Sequence, residues 1–113
     1  KATLAPMLKK EDGLIDWNMP AIEIERRVRG LNPWPGSYTY TNGKLLKVHQ
    51  AKVLTGESGA NPGAIIRADS GGFWIATSRG LIGLEDVQLE NKNRLPGAAF
   101  IRGARIKAGD RLG

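Results

Sequence analysis

The apolar positions of this chain follow two different rhythms. Ala21, Ile24, Val28 and Leu31 recur at offsets of 3, 7 and 10, which places them on one face of a helix. Asn18 precedes that stripe and can accept from an orphan backbone N–H, and Pro20 fits a first turn where a missing N–H costs little. Glu23 with Arg27, and Glu25 with Arg29, stand four residues apart with the acid first. That order suits both helical ion pairing and the helix dipole. Gly30 and then Asn32-Pro33 stop the pattern. It predicts one helix over about residues 19–31.

Beyond Gly36 the rhythm changes to short runs with an alternation of two. Ser37 to Thr41 reads as a strand, Asn42-Gly43 as a tight hairpin turn, and Lys44 to Leu54 as the return strand. Leu46 and Val48 share one parity, while Ala51 and Val53 share the other. One extra residue near His49 to Ala51 restores a common face, so a β-bulge is predicted there. Residues 55–63 form a polar, Gly-rich loop. Ala64 to Ala68 and Phe73 to Thr77 are predicted strands around the turn Ser70-Gly71-Gly72. Leu81 to Glu90 is a longer strand whose parity slips between Leu84 and Val87, which calls for a second bulge near Glu85. After the turn at Asn91 to Arg94, Leu95-Pro96-Gly97 reads as irregular. Ala98 to Ile101 is expected to be one more strand. The sum is a mainly β chain: a small open Greek-key or OB-like barrel of five to six strands with one flanking helix.

Composition narrows what such a barrel does. The 113 residues suit one domain, so a single domain over 1–113 is expected. Fifteen glycines, against about 8 at average usage, agree with many turns. Lys and Arg number 17 against 11 acids, a net charge of +6. Cys is absent and His occurs once, so Cys zinc sites, thiol nucleophiles and multi-His metal sites are excluded. No apolar run is long enough to span a membrane. The sequence opens without a Met or a signal-type stretch and is expected to be a piece of a longer protein.

The remaining chemistry points to an anionic partner. His49 has no carboxylate or nucleophile at a catalytic spacing and reads as a strand residue. The acids Glu11, Asp12 and Asp16 read as solvated charges before the helix, and the glycines of 56–63 as turn glycines without a following helix. Trp34, locked between Pro33 and Pro35, reads as a packing anchor with base stacking as the alternative. Arg94, Arg102, Arg105, Lys107 and Arg111 stand against one acid, Asp110, in the last twenty residues. An excess of that kind is the footprint of a phosphate-binding surface, with plain solubility as the competing explanation.

Glu11-Asp12-Gly13-Leu14-Ile15-Asp16-Trp17, Pro20-Ala21, Ile24, Arg29 and Asn32-Pro33-Trp34-Pro35-Gly36 form an ordered series. It continues through Asn42-Gly43-Lys44, Lys47-Val48, Pro62-Gly63, Ala76-Thr77, Gly80 and Gly103-Ala104-Arg105. As a set it resembles the carboxy-terminal domain of the methionyl-tRNA formyltransferase family. Related domains occur in 10-formyltetrahydrofolate dehydrogenase and sugar-nucleotide formyltransferases.

The resemblance implies a cytoplasmic, monomeric parent. Its Rossmann-like amino-terminal domain would bind 10-formyltetrahydrofolate and carry the catalytic Asn, His and Asp, leaving no catalytic residue or cofactor to this domain. This chain would help hold initiator methionyl-tRNA through Lys10, Lys47, Arg79, Arg102 and Arg105. Trp17 and Trp34 would be structural. His49 departs from the family, which often has an aromatic there. The alternative is a bracing domain in a formyltransferase acting on a folate or sugar-nucleotide substrate, without nucleic-acid binding.

Overall fold

The computed structural model describes residues 10–31, 36–57 and 59–113. Lys9 and the Trp34 segment lie outside them. A 3-10 turn at Lys10–Gly13 leads into helix α1, Ala21–Gly30. Its buried stripe is Ala21, Ile24 and Val28, the predicted spacing.

The start of α1 differs from expectation. Pro20 occupies the cap position without a side-chain cap bond. The Asp16 carboxylate accepts the Asn18 amide at 3.0 Å, and the Ala21 amide donates to the Arg79 carbonyl at 3.0 Å. The role foreseen for Asn18 thus passes to a carbonyl from a distant turn, because the helix packs against the sheet there. Glu25 pairs with Arg29 at 2.9 Å as predicted. Glu23 instead pairs with Arg26 at 3.3 Å, because Arg27 is drawn off to the Asp12 carbonyl at 3.2 Å.

Six strands follow among the described residues: β1 (Ser37–Thr41), β2 (Lys44–Leu54), β3 (Ile65–Asp69), β4 (Gly72–Ala76), β5 (Leu81–Leu89) and β6 (Arg94–Pro96). The β1–β2 turn has positive φ at both Asn42 (51°) and Gly43 (79°), the I′ geometry that Asn-Gly favours. The order β1-β2-β5-β4-β3 is antiparallel throughout and puts β2 beside β5, a Greek-key step. Along its other edge β5 serves two partners. Leu81 to Gly83 pair with β4, and Asp86 to Gln88 pair with β6.

Both predicted bulges are present. Val48 pairs with Val87 and Gln50 with Asp86, which leaves His49 extra on β2. Ala51 then pairs with Leu84, which leaves Glu85 extra on β5. The two insertions offset each other, so Leu46, Val48 and Ala51 all face the core with Ile82, Leu84 and Val87.

The expected strand at Ala98 to Ile101 is a helix, α2 (Gly97–Gly103), so two helices flank the sheet rather than one. Pro96, extended at φ −57° and ψ 148°, ends β6 and caps α2. Ala98 and Ala99 favour helix, and helical spacing turns Phe100 and Ile101 together into the core. The Phe100 ring lies 6.0 Å from that of Phe73 on β4.

The sheet is barrel-like but open, since β1 and β3 do not pair. The chain's end bridges the gap. The Ile65 and Leu112 amides bond the Asp110 and Gly63 carbonyls, and the Gly113 amide donates to the Tyr40 carbonyl of β1 at 2.8 Å. Among the described residues no helix is long and apolar enough to cross a membrane.

Candidate nucleic-acid interface

Carboxylates divide the cations into two groups. Arg26 and Arg29 are neutralised on α1, Arg94 pairs with Asp86 at 2.8 Å, and Arg67 pairs with Asp69 at 2.8 Å. Arg27 and Arg111 donate to the backbone carbonyls of Asp12 and Pro62. Lys47, Arg79, Arg102 and Arg105 are exposed, and no carboxylate pairs with any of them among the described residues. Four of the five site residues expected from the sequence are therefore exposed and not neutralised by a carboxylate among the described residues. The fifth, Lys10, has its backbone in the 3-10 turn, and its side chain is outside the described set.

Strand register decides which of these can act together. Lys44 opens β2, and Lys47 lies three residues along it, about 10 Å away. Lys44 and Arg105 line one groove of about 230 Å³, with Thr41 and Asn42 on one side and Phe100 and Ile106 on the other. Arg102, at the end of α2, is three residues before Arg105. Lys44 and Arg105 thus meet at the end of the barrel that carries the Asn42-Gly43 turn, whereas Lys47, an odd number of residues from Lys44, lies on the opposite face of β2, and Arg102 does not line the groove. Lys44, expected from the sequence to start a strand, was not among the expected site residues. Its signal was its place just after the hairpin turn, where a side chain is held at the rim.

Arg79 stands apart. It lies in the turn before Leu81, whereas the hairpin end of the barrel adjoins Glu90, whose amide donates to the Leu45 carbonyl. The length of β5, about 25 Å, separates them. The Arg79 carbonyl helps cap α1 and accepts the Thr77 hydroxyl at 2.7 Å, so its turn is tied down while its guanidinium stays exposed. Arg94, counted with the basic tail, is spoken for by Asp86.

Other candidates resolve into structural roles. Nε2 of His49 lies 2.9 Å from the Gln88 amide oxygen on the neighbouring strand. Trp17 is buried and donates to the Thr39 hydroxyl at 3.3 Å, as its structural reading requires. Among the described residues no group of three His, Cys, Asp or Glu could hold a metal ion.

One carboxylate has a displaced titration. Asp69 is held below its ordinary value of 3.8 by the Arg67 guanidinium, then by the Gly71 amide. Its folded pKa is depressed, so the contact is intact above 3.8 and is lost only as the pH falls through the lower folded value. A ¹³C carboxyl titration by NMR should find the Asp69 midpoint below 3.8. A midpoint at or above 3.8 would contradict the clamp.

The sequence profile of the family described as "Formyl transferase, C-terminal domain" matches residues 7–105. The chain is 44% identical over 109 residues to the methionyl-tRNA formyltransferase of Agathobacter rectalis, covering 96% of this chain and 35% of that protein. It is 46% identical over 109 residues to the one from Geobacter sulfurreducens, covering 96% and 34%. It spans about a third of the length of these curated relatives. Among solved structures it resembles HypX from Aquifex aeolicus in complex with tetrahydrofolic acid. The TM-score is 0.68 at 18% identity, covering 96% of this chain and 22% of that one, a likeness of fold. With its profile match and these relatives, the chain belongs to the formyl transferase C-terminal domain family.

Proposed function

We propose that this chain is the tRNA-holding domain of a methionyl-tRNA formyltransferase. The observation that carries the reading is the groove at the hairpin end of the barrel, lined by the exposed cations Lys44 and Arg105, with exposed Lys47 and Arg102 free to add contacts from β2 and α2. Guanidinium and ammonium groups that face water rather than carboxylates can replace the counterions of a phosphate backbone. Such contacts set register and orientation without reading bases. Lys10 and Arg79 would add contacts elsewhere on the surface, Arg79 far enough along β5 to touch a separate stretch of backbone.

In the whole protein, an amino-terminal domain would bind 10-formyltetrahydrofolate and transfer its formyl group to the amino group of initiator methionyl-tRNA. This domain would steer the acceptor arm toward that site, in a cytoplasmic, monomeric enzyme. The competing reading is a bracing domain for a folate or sugar-nucleotide enzyme, in which the charge has no nucleic-acid role.

Titration of tRNA with the 113-residue chain across a salt series separates the two. Binding should weaken linearly on a log–log plot, and the Lys44→Ala/Arg105→Ala variant should lower the slope by about two units. Affinity independent of salt, or an unchanged slope in the double variant, would refute the tRNA reading.

A further inference from the structure

A row of charged and aromatic residues lies on the outer face of the sheet, away from the groove. Lys52 on β2 pairs with Gly83 on β5, Gly83 with Trp74 on β4, and Trp74 with Arg67 on β3. Cross-strand partners share a face, so these four residues form one row over four strands. The Arg67 guanidinium lies over the Trp74 ring at 4.9 Å from its centroid. Asp69 fixes that guanidinium from its edge, yet the Arg67 side chain remains 41% exposed.

Three glycines clear the space for this stack. A Cβ on Gly71 would collide with the Arg67 guanidinium, and one on Gly72 with the Trp74 indole nitrogen. Gly83 leaves the centre of the row without a side chain, bordered by Leu54 and the Glu85 carboxylate. Lys52, exposed and without a carboxylate partner among the described residues, ends the row two strands from Trp74, about 10 Å away.

We propose that Arg67 on Trp74 is a stacking platform for an unpaired nucleobase of the bound RNA, with Lys52 taking an adjacent phosphate. The inference rests on the tRNA reading above and gives that RNA a second point of attachment. A part-exposed guanidinium lying over an indole, with its charge met at the edge by Asp69, offers a planar group on which any base can stack. The Glu85 charge turns phosphates away from the centre of the row. That leaves the base as the group that enters and the Lys52 end as the place for its backbone.

Two probes test this with the 113-residue chain: hexa-adenylate, which carries bases and phosphates, and inorganic polyphosphate, which carries charge alone. Trp74→Leu should weaken hexa-adenylate binding by roughly 5- to 150-fold and leave polyphosphate binding unchanged. Arg67→Lys keeps the charge and loses the plane, so it should act in the same selective way. Because Arg67 is on the surface, it carries the test if the Trp74 variant fails to fold. Equal losses for both probes, or no loss in Arg67→Lys, would overturn the platform. Salt-dependent tRNA binding undiminished in both variants would also overturn it while leaving the tRNA reading intact. A flat salt series with wild-type chain would instead fell the tRNA reading itself.

Discussion

Replacing Gly97 with alanine is expected to destabilise the chain by about 3 kcal/mol, the upper end for an overpacked core. A Cβ there would collide with the Leu84 carbonyl oxygen and stand 3.4 Å from the Phe73 Cβ. The obstacle is backbone of β5, which no rotamer change removes. Gly97 is not at a positive φ, so the cost is steric rather than conformational. To relieve it, the start of α2 must lift off the sheet, and Phe100 and Ile101 are drawn out of the core with it. A fall in Tm of roughly 10–15 °C by calorimetry is the expected readout. Gly103→Ala is the matched control at the other end of the helix, where a Cβ meets nothing within 4 Å. It should be neutral or stabilising by up to about 1 kcal/mol. Equal effects at the two glycines would show that α2 does not press on β5 as described.

Trp17→Ala is expected to cost about 3–5 kcal/mol. The Trp17 side chain is 6% exposed, and its carbonyl accepts the Ser78 amide at 3.1 Å. Its ring also borders Gly63 and Gly113, so it packs where the β3 side, the chain end and the segment before α1 converge. Removing it opens a void where these segments meet the core. The indole N–H contributes separately. Trp17→Phe leaves the Thr39 hydroxyl, on a fully buried residue, without its donor, at a cost of about 1–3 kcal/mol. Adding Thr39→Val removes the stranded hydroxyl and should recover part of that loss. A urea-denaturation double-mutant cycle measures the coupling. Additive effects would place the stabilisation in ring packing alone.

Local pattern was enough for much of the architecture. The β1–β2 hairpin was legible because Asn-Gly selects one turn geometry by itself. The two bulges were legible because a parity slip in a half-buried strand has only one remedy that keeps the core dry. α2 was not legible. Ala98 to Ile101 is a short apolar run without a full period, and such a run fits a strand or a buried helix turn equally well. Only the bare Gly97 against Leu84, with Phe100 against Phe73, settles it as a helix. Asn18 was misjudged as the cap for a similar reason, since the carbonyl that closes α1 comes from Arg79, some sixty residues away along the chain.

For the candidate site, the sequence supplied the positive charge and the residues that carry it, because net charge and residue type do not depend on folding. It did not say which cations are free. Arg94 looks like Arg102 and Arg105 in the sequence, yet Asp86, brought alongside by the pairing of β5 with β6, neutralises it and no carboxylate does so for the other two among the described residues. Nor did it say which act together. Lys44 and Arg105 are distant in sequence and share a groove, while Arg79 is set apart by the length of β5. The sequence by itself determined the family, the mainly β architecture, the hairpin, the bulges and the positive charge, all matters of local pattern and composition. Only tertiary packing settled α2, the bridging of the gap between β1 and β3 by the chain's end, and the meeting of Lys44 with Arg105 in one groove. Those depend on register and packing between segments whose approach no short stretch of sequence encodes.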